Sequence, residues 1–97
     1  MTDLVISYDI NTQTPEGANR LVHVAAICER YGQRAQYSVF ECRLSDVQLA
    51  RLVAELNDVI DDEVDSVCIY HLAGGIDRAS HRLGRQSPHE LGTSWML

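Results

Sequence analysis

The residues with the most to offer chemically stand at the end of the run "VISYDI", residues 5–10, where Asp9 follows Tyr8. Val5, Ile6, Tyr8 and Ile10 are β-branched or aromatic and suit a strand. A carboxylate does not suit the inside of that strand. Burying an unpaired ionised group is costly, so Asp9 has to be protonated, paired, metal-bound, or placed where the strand emerges into water. The cationic chemistry is of one kind: all eight basic residues are arginine, and there is no lysine. Arginine favours planar, bidentate grips on carboxylate or phosphate. The net charge of −6 opposes non-specific attraction to nucleic acid, so the local placement of those arginines decides what they hold.

Other chemistry-bearing types are less promising. Cys28, Cys42 and Cys68 form an odd set without C-x-x-C spacing, which speaks against a disulfide framework and a zinc cluster. Each falls among apolar residues and is expected to be an inert core thiol. His71, His81 and His89 are not at ligand spacing. The acidic run "DDEVD", residues 61–65, lacks the glycine and the ligand spacing of a calcium loop and reads as a solvated connector. Ser38 has no nucleophile elbow around it, so its hydroxyl is expected to serve a turn.

Local signals mark out the secondary structure that carries these residues. After the first strand, Thr14 can cap a helix, Pro15 fits its first position and Glu16 suits the positive end of its dipole. Leu21, Val24, Ala25, Cys28 and Tyr31 recur at three- and four-residue intervals, and Gly32 is a natural stop. In "QRAQYSVFECRL" the apolar phase moves from odd positions to even ones at Val39-Phe40, which implies two short strands with a bulge, a bend or a tight reversal. Ser45 with Gln48 makes a capping-box pattern, and Leu49, Leu52, Val53, Leu56, Val59 and Ile60 give the second helix its apolar stripe. "SVCIYHL" reads as the last core strand before Gly74-Gly75, and "SHRL", residues 80–83, can form one more short strand.

Strand, helix, strand, strand, helix, strand is the ferredoxin-like order: an α+β fold with an antiparallel sheet and both helices on one face. Residues 1–75 are expected to form this core, and residues 76–97 a C-terminal segment. Ninety-seven residues make one small domain. The sheet's other face needs a cover, and a second copy in a two-fold homodimer is the simplest one. No apolar run approaches the roughly 18 residues of a membrane span. The start lacks a basic, cleavable leader, so a cytoplasmic protein without a membrane partner is expected.

"ISYDI", then a helix of suitable length and then "GQRAQYSVFE", resembles the CRISPR-associated protein 2 family, the small subunit of the spacer-acquisition machinery. The likeness runs from about Leu4 to Leu72 and rests on "Y-D-I" and "Q-x-S-V-F-E" together. The resemblance implies a ferredoxin-like homodimer whose additional C-terminal strand crosses onto the partner's sheet, with "SHRL" as its candidate. It implies that Asp9 lies near the dimer axis, where two such carboxylates can hold one shared Mg²⁺. Magnesium commonly accepts one or two carboxylates plus waters. The plain alternative is that Asp9 caps a loop or pairs with an arginine. Tyr8, Arg34 and Phe40 also match family positions and join Asp9 as candidate catalytic residues, although Tyr8 equally suits packing, Phe40 suits the core better than a functional role, and Arg34 suits a surface charge.

The family often carries several basic residues early in the first helix, whereas "GANRLVH" offers only Arg20, which lowers the expected DNA affinity and its salt dependence. Arg20, Arg34, Arg78 and Arg82, each doubled in a dimer, are the candidates for tracking phosphates on duplex DNA or RNA. The tail "SWML" is expected to dock on the integrase subunit, CRISPR-associated protein 1. The resemblance favours a dimer that bridges integrase subunits and binds duplex DNA, to which a magnesium-dependent endonuclease activity on RNA or DNA can be added; the alternative, from another class, is a ferredoxin-like ligand-sensing regulatory dimer without nuclease activity.

Overall fold

The computed structural model describes residues 1–85. Its elements are β1 (Thr2–Asp9), α1 (Pro15–Tyr31), β2 (Gly32–Gln36), β3 (Val39–Leu44), α2 (Asp46–Val59), β4 (Ser66–His71) and a helical turn, α3 (Ile76–Ala79). The sheet order is β2-β3-β1-β4 with every neighbouring pair antiparallel, which is the expected ferredoxin-like α+β arrangement.

Local signals start and stop the helices where the sequence placed them. The Thr14 hydroxyl accepts from the Gly17 N–H at 3.0 Å, with Pro15 at the first helical position. Ser45 and Gln48 exchange both capping-box bonds, at 2.9 and 3.2 Å. A side chain at Gly17 would bring its Cβ to 1.9 Å from the Asn11 carbonyl oxygen. Only glycine lets the loop after β1 lie so closely on the first turn of α1.

Strand alternation sorts the sheet into two faces. Leu4, Ile6, Tyr8 and Ile10 join Phe40, Cys42 and Leu44 in a core with Val24, Ile27 and Cys28 of α1 and Leu52 and Leu56 of α2. Val53, expected in the stripe of α2, is 47% exposed instead. Truncating one of the fully buried core aliphatics to alanine costs about 2–5 kcal/mol. Asp3, Val5, Ser7 and Asp9 alternate with the buried set and so line the opposite face of the sheet.

The β2–β3 hairpin reverses at Tyr37 and Ser38, and the expected irregularity falls in β2, where the register shifts between Arg34 and Gln36. The second sheet face is partly covered by the chain beyond β4. Ile76 is buried, its N–H donates to Asp3 Oδ2 at 2.8 Å, and the Arg82 guanidinium donates to Glu41 at 2.9 Å. Residues 80–83 take no place in this chain's own four-stranded sheet; Ser80 has extended backbone and Leu83 is 92% exposed. His89 and the tail Trp95 to Leu97 lie outside the described residues.

Candidate functional site

The site is built where β1, the hairpin tip and α1 meet. Tyr8 belongs to the inward set and is buried; Asp9, the next residue, belongs to the opposite set and is exposed, paired across the ladder with Ser66 of β4. The Tyr8 N–H donates to the Ser38 carbonyl at 3.1 Å, and the Tyr8 hydroxyl donates to the Tyr37 carbonyl at 3.2 Å. One residue thus ties the hairpin tip to the end of β1 through both backbone and side chain.

Around this knot lies a groove of about 440 Å³, bordered by Tyr8, Asp9, Thr12, Val22, Arg34 and Tyr37. Arg34 faces Phe40 across the ladder, and its guanidinium stands 5.1 Å from the centre of the Phe40 ring. It also approaches Glu29 at 3.7 Å with 43% of its side chain exposed. Phe40 is fully buried, with its ring 6.2 Å from that of Tyr8. It therefore works from beneath, as a floor for Arg34 and Tyr8.

Burial pushes the Tyr8 phenol above its ordinary value, an effect that the nearby Arg34 charge partly offsets. The phenol is the donor in the bond to the Tyr37 carbonyl. Among the described residues Asp9 makes no ion pair. The alternative of an arginine partner for Asp9 is therefore not realised within the described chain. Nor is there, among the described residues, a group of three or more His, Cys, Asp or Glu that could hold a metal ion within the chain. Asp9 alone offers one open carboxylate, which fits a magnesium ion only as a share of a site that waters and a second copy complete.

Asp65 holds this corner in place, and its role departs from the expectation of a solvated "DDEVD" connector. Its side chain is fully buried, and it accepts from the Asn11 N–H at 2.9 Å, the Asp61 N–H at 2.9 Å and the Arg20 guanidinium at 2.7 and 3.3 Å. With all these donors, led by Arg20, its carboxyl is held down at about 2. Asp65 thus fixes the loop that leaves Asp9 and the residue that precedes β4. Sequence reasoning had one usable signal for it: the last aspartate of the run directly abuts a strand.

The arginines divide in a way their spacing did not reveal. Arg20 is committed to Asp65 and Arg82 to Glu41, whereas Arg34 and Arg78 are exposed. Arg43, not singled out by its sequence context, grips Asp3 at 2.6 and 3.1 Å. The cysteines divide too. Burial pushes the Cys28 thiol up to about 11 and the Cys42 thiol to about 12, so both are inert as expected, but Cys68 is exposed on the open face of β4.

This architecture has close counterparts. A crystal structure of Streptococcus pyogenes Cas2 matches with a TM-score of 0.76 and 40% identity, over 84% of this chain and 99% of that one. A protein from Thermus thermophilus described as hypothetical matches with a TM-score of 0.73 and 30% identity, over 88% and 93%. In sequence, a CRISPR-associated endoribonuclease Cas2 of Chlorobaculum tepidum is 36% identical over 97% of this chain and 98% of its own length. A CRISPR-associated endonuclease Cas2 of Halalkalibacterium halodurans is 40% identical over 91% and 92%. The family model for CRISPR associated protein Cas2 covers residues 1–77, the whole sheet, both long helices and the start of α3. With the family model, the sequence relatives and the fold in agreement, the chain belongs to the CRISPR associated protein Cas2 family.

Proposed function

We propose that the chain serves CRISPR spacer acquisition as a homodimer that binds nucleic acid and cleaves its phosphodiester bonds with magnesium held between the two Asp9 carboxylates. One observation carries the reading: Asp9 is an exposed carboxylate without an ion-pair partner among the described residues, on the end of a central strand, at the border of a groove that also holds Arg34. The relatives named as endoribonuclease and endonuclease support it. The open sheet face supports the dimer, because Val5, Ser7 and Val39 are only part-covered there and Tyr70 is 55% exposed. Residues 80–83, unpaired in this chain's sheet, suit a strand added to the partner's.

Magnesium, when bound, would polarise the phosphodiester and lower the pKa of a bound water. The chain's own residues have separate tasks. Asp9 of each copy would hold the ion. Arg34 takes a phosphate oxygen on the side away from Phe40, and Tyr8, kept protonated, fixes the hairpin that carries that phosphate contact. Arg78 adds a second exposed cation per copy, while Arg20 and Arg82 contribute only the guanidinium edges that Asp65 and Glu41 leave over. The same dimer would bridge the integrase subunits, CRISPR-associated protein 1, with the tail Trp95 to Leu97 as the docking element.

The test is cleavage of labelled single-stranded RNA and duplex DNA by highly purified wild type and Asp9→Asn, with magnesium and with chelator. We expect cleavage by wild type in magnesium alone and none by Asp9→Asn. Cleavage that survives in Asp9→Asn would overturn the role given to Asp9, and no cleavage by wild type in magnesium would overturn the hydrolytic reading.

A further inference from the structure

Tyr37 is the most exposed aromatic residue among those described, at 92%, although Tyr8 anchors the turn that carries it by two hydrogen bonds. Its ring is presented to solvent while its carbonyl is held by the Tyr8 hydroxyl at 3.2 Å and the next carbonyl, of Ser38, by the Tyr8 N–H at 3.1 Å. An aromatic ring left in water gains nothing for the fold. A rigid turn that holds one out has the form of a stacking platform, because little conformational freedom remains to be lost when a flat partner arrives.

The surroundings define that partner. Tyr37 borders the groove together with Arg34 and Asp9, and Val22, 70% exposed on α1, adds apolar surface to the same lining. A ligand fitting this arrangement has a flat π-face for Tyr37 and an anionic group for the Arg34 guanidinium. A nucleotide with its base unstacked satisfies both demands. Bases inside a duplex do not, since both of their faces are already covered by their neighbours. Base–aromatic stacking is indifferent to sequence, because every base has a π-face.

We infer that the groove between α1 and the β2–β3 hairpin is a subsite for one unpaired nucleotide, its base stacked on Tyr37 and its phosphate paired with Arg34. This rests on the nucleic-acid reading of the same corner and refines it. Tyr37 is then a positioning residue that selects single-stranded over paired substrate, and Tyr8 supports it through the carbonyl bond.

The experiment measures Kd by fluorescence anisotropy for a labelled single-stranded RNA and a blunt duplex of the same length. It uses the full chain in chelator, so that binding is read without cleavage, with wild type, Tyr37→Phe and Tyr37→Ala. A single-stranded probe carrying one 2-aminopurine reports stacking directly as quenching. Tyr37→Ala is expected to weaken single-strand binding about tenfold and to abolish the quenching, with duplex binding unchanged. Tyr37→Phe, which keeps the ring, should stay within about twofold of wild type. Equal single-strand affinity of Tyr37→Ala and wild type overturns the subsite, as does an equal loss on single strand and duplex. Wild type that binds neither probe overturns the nucleic-acid reading as well, so the two failures are told apart.

Discussion

The strand β1 carries an aspartate at each end of the same sheet face, and the two have opposite fates. Asp3 is buried to 7% exposure, gripped by Arg43 at 2.6 and 3.1 Å and by the Ile76 N–H at 2.8 Å. Asp9 is exposed, and no described residue pairs with its charge. Residue type and strand are shared; what differs is the supply of donors. At the Asp3 end, β3 presents an arginine and the chain after β4 returns to close over it. At the Asp9 end, Arg20 is held by Asp65 and Arg34, which borders the same groove, approaches Glu29 instead, so Asp9 keeps its coordinating capacity for something from outside.

The contrast between the two ends is lost most severely if Asp65 is removed. Asp65→Ala leaves the Asn11 and Asp61 N–H groups and Arg20 without their acceptor, and it is expected to cost about 3 kcal/mol. In a domain of this size that lowers Tm by roughly 15 °C, as calorimetry would show; a fall of only a degree or two would mean that the corner is held by packing alone. The same variant has a defined pH signature. The Asp65 carboxyl is held at about 2 against an ordinary 3.8, so the stability it supplies is complete above pH 3.8 and drains away as pH falls towards 2. The gap between wild type and Asp65→Ala should therefore be constant near neutrality and close in acid.

Asp3→Asn is the next smaller effect. It weakens the bond to Arg43 and the acceptor for Ile76, at an expected cost of about 1.5 kcal/mol. Urea unfolding should show a lower midpoint with an unchanged slope. The Asp3 carboxyl is also held below its ordinary value, chiefly by the Arg43 bond, so this contribution too is present above pH 3.8 and lost in acid. The smallest effect on stability belongs to Asp9→Asn, which is expected to shift Tm by no more than roughly 2 °C. A large loss there would show that Asp9 has a structural partner after all and would erase the contrast between the two ends.

Local features were legible in the sequence because their causes are local. Thr14 with Pro15, Ser45 with Gln48 and the change of phase before Phe40 each lie within a few residues of the structure they dictate. Asp65 was not legible, since its partners Asn11 and Arg20 are 54 and 45 positions away, and an acidic run looks the same in water or in a knot. The commitment of Arg82 to Glu41, 41 positions apart, was hidden for the same reason. Cys68 was misplaced because "SVCIYHL" is apolar on both of its alternating sets, and only the packed helices decide that Val67 and Ile69 face inward. The exposure of Tyr37 had a signal in the hairpin's turn, yet nothing in residue type distinguishes a ring held out from one packed in.

Whether the two ends of β1 divide structure from function is decided by counting bound ions, with Mn²⁺ as a paramagnetic stand-in for Mg²⁺. Wild type and Asp3→Asn should each bind one ion per two chains, and Asp9→Asn should bind none. Undiminished binding by Asp9→Asn, or loss of the ion in Asp3→Asn while it remains folded and dimeric, would contradict that division.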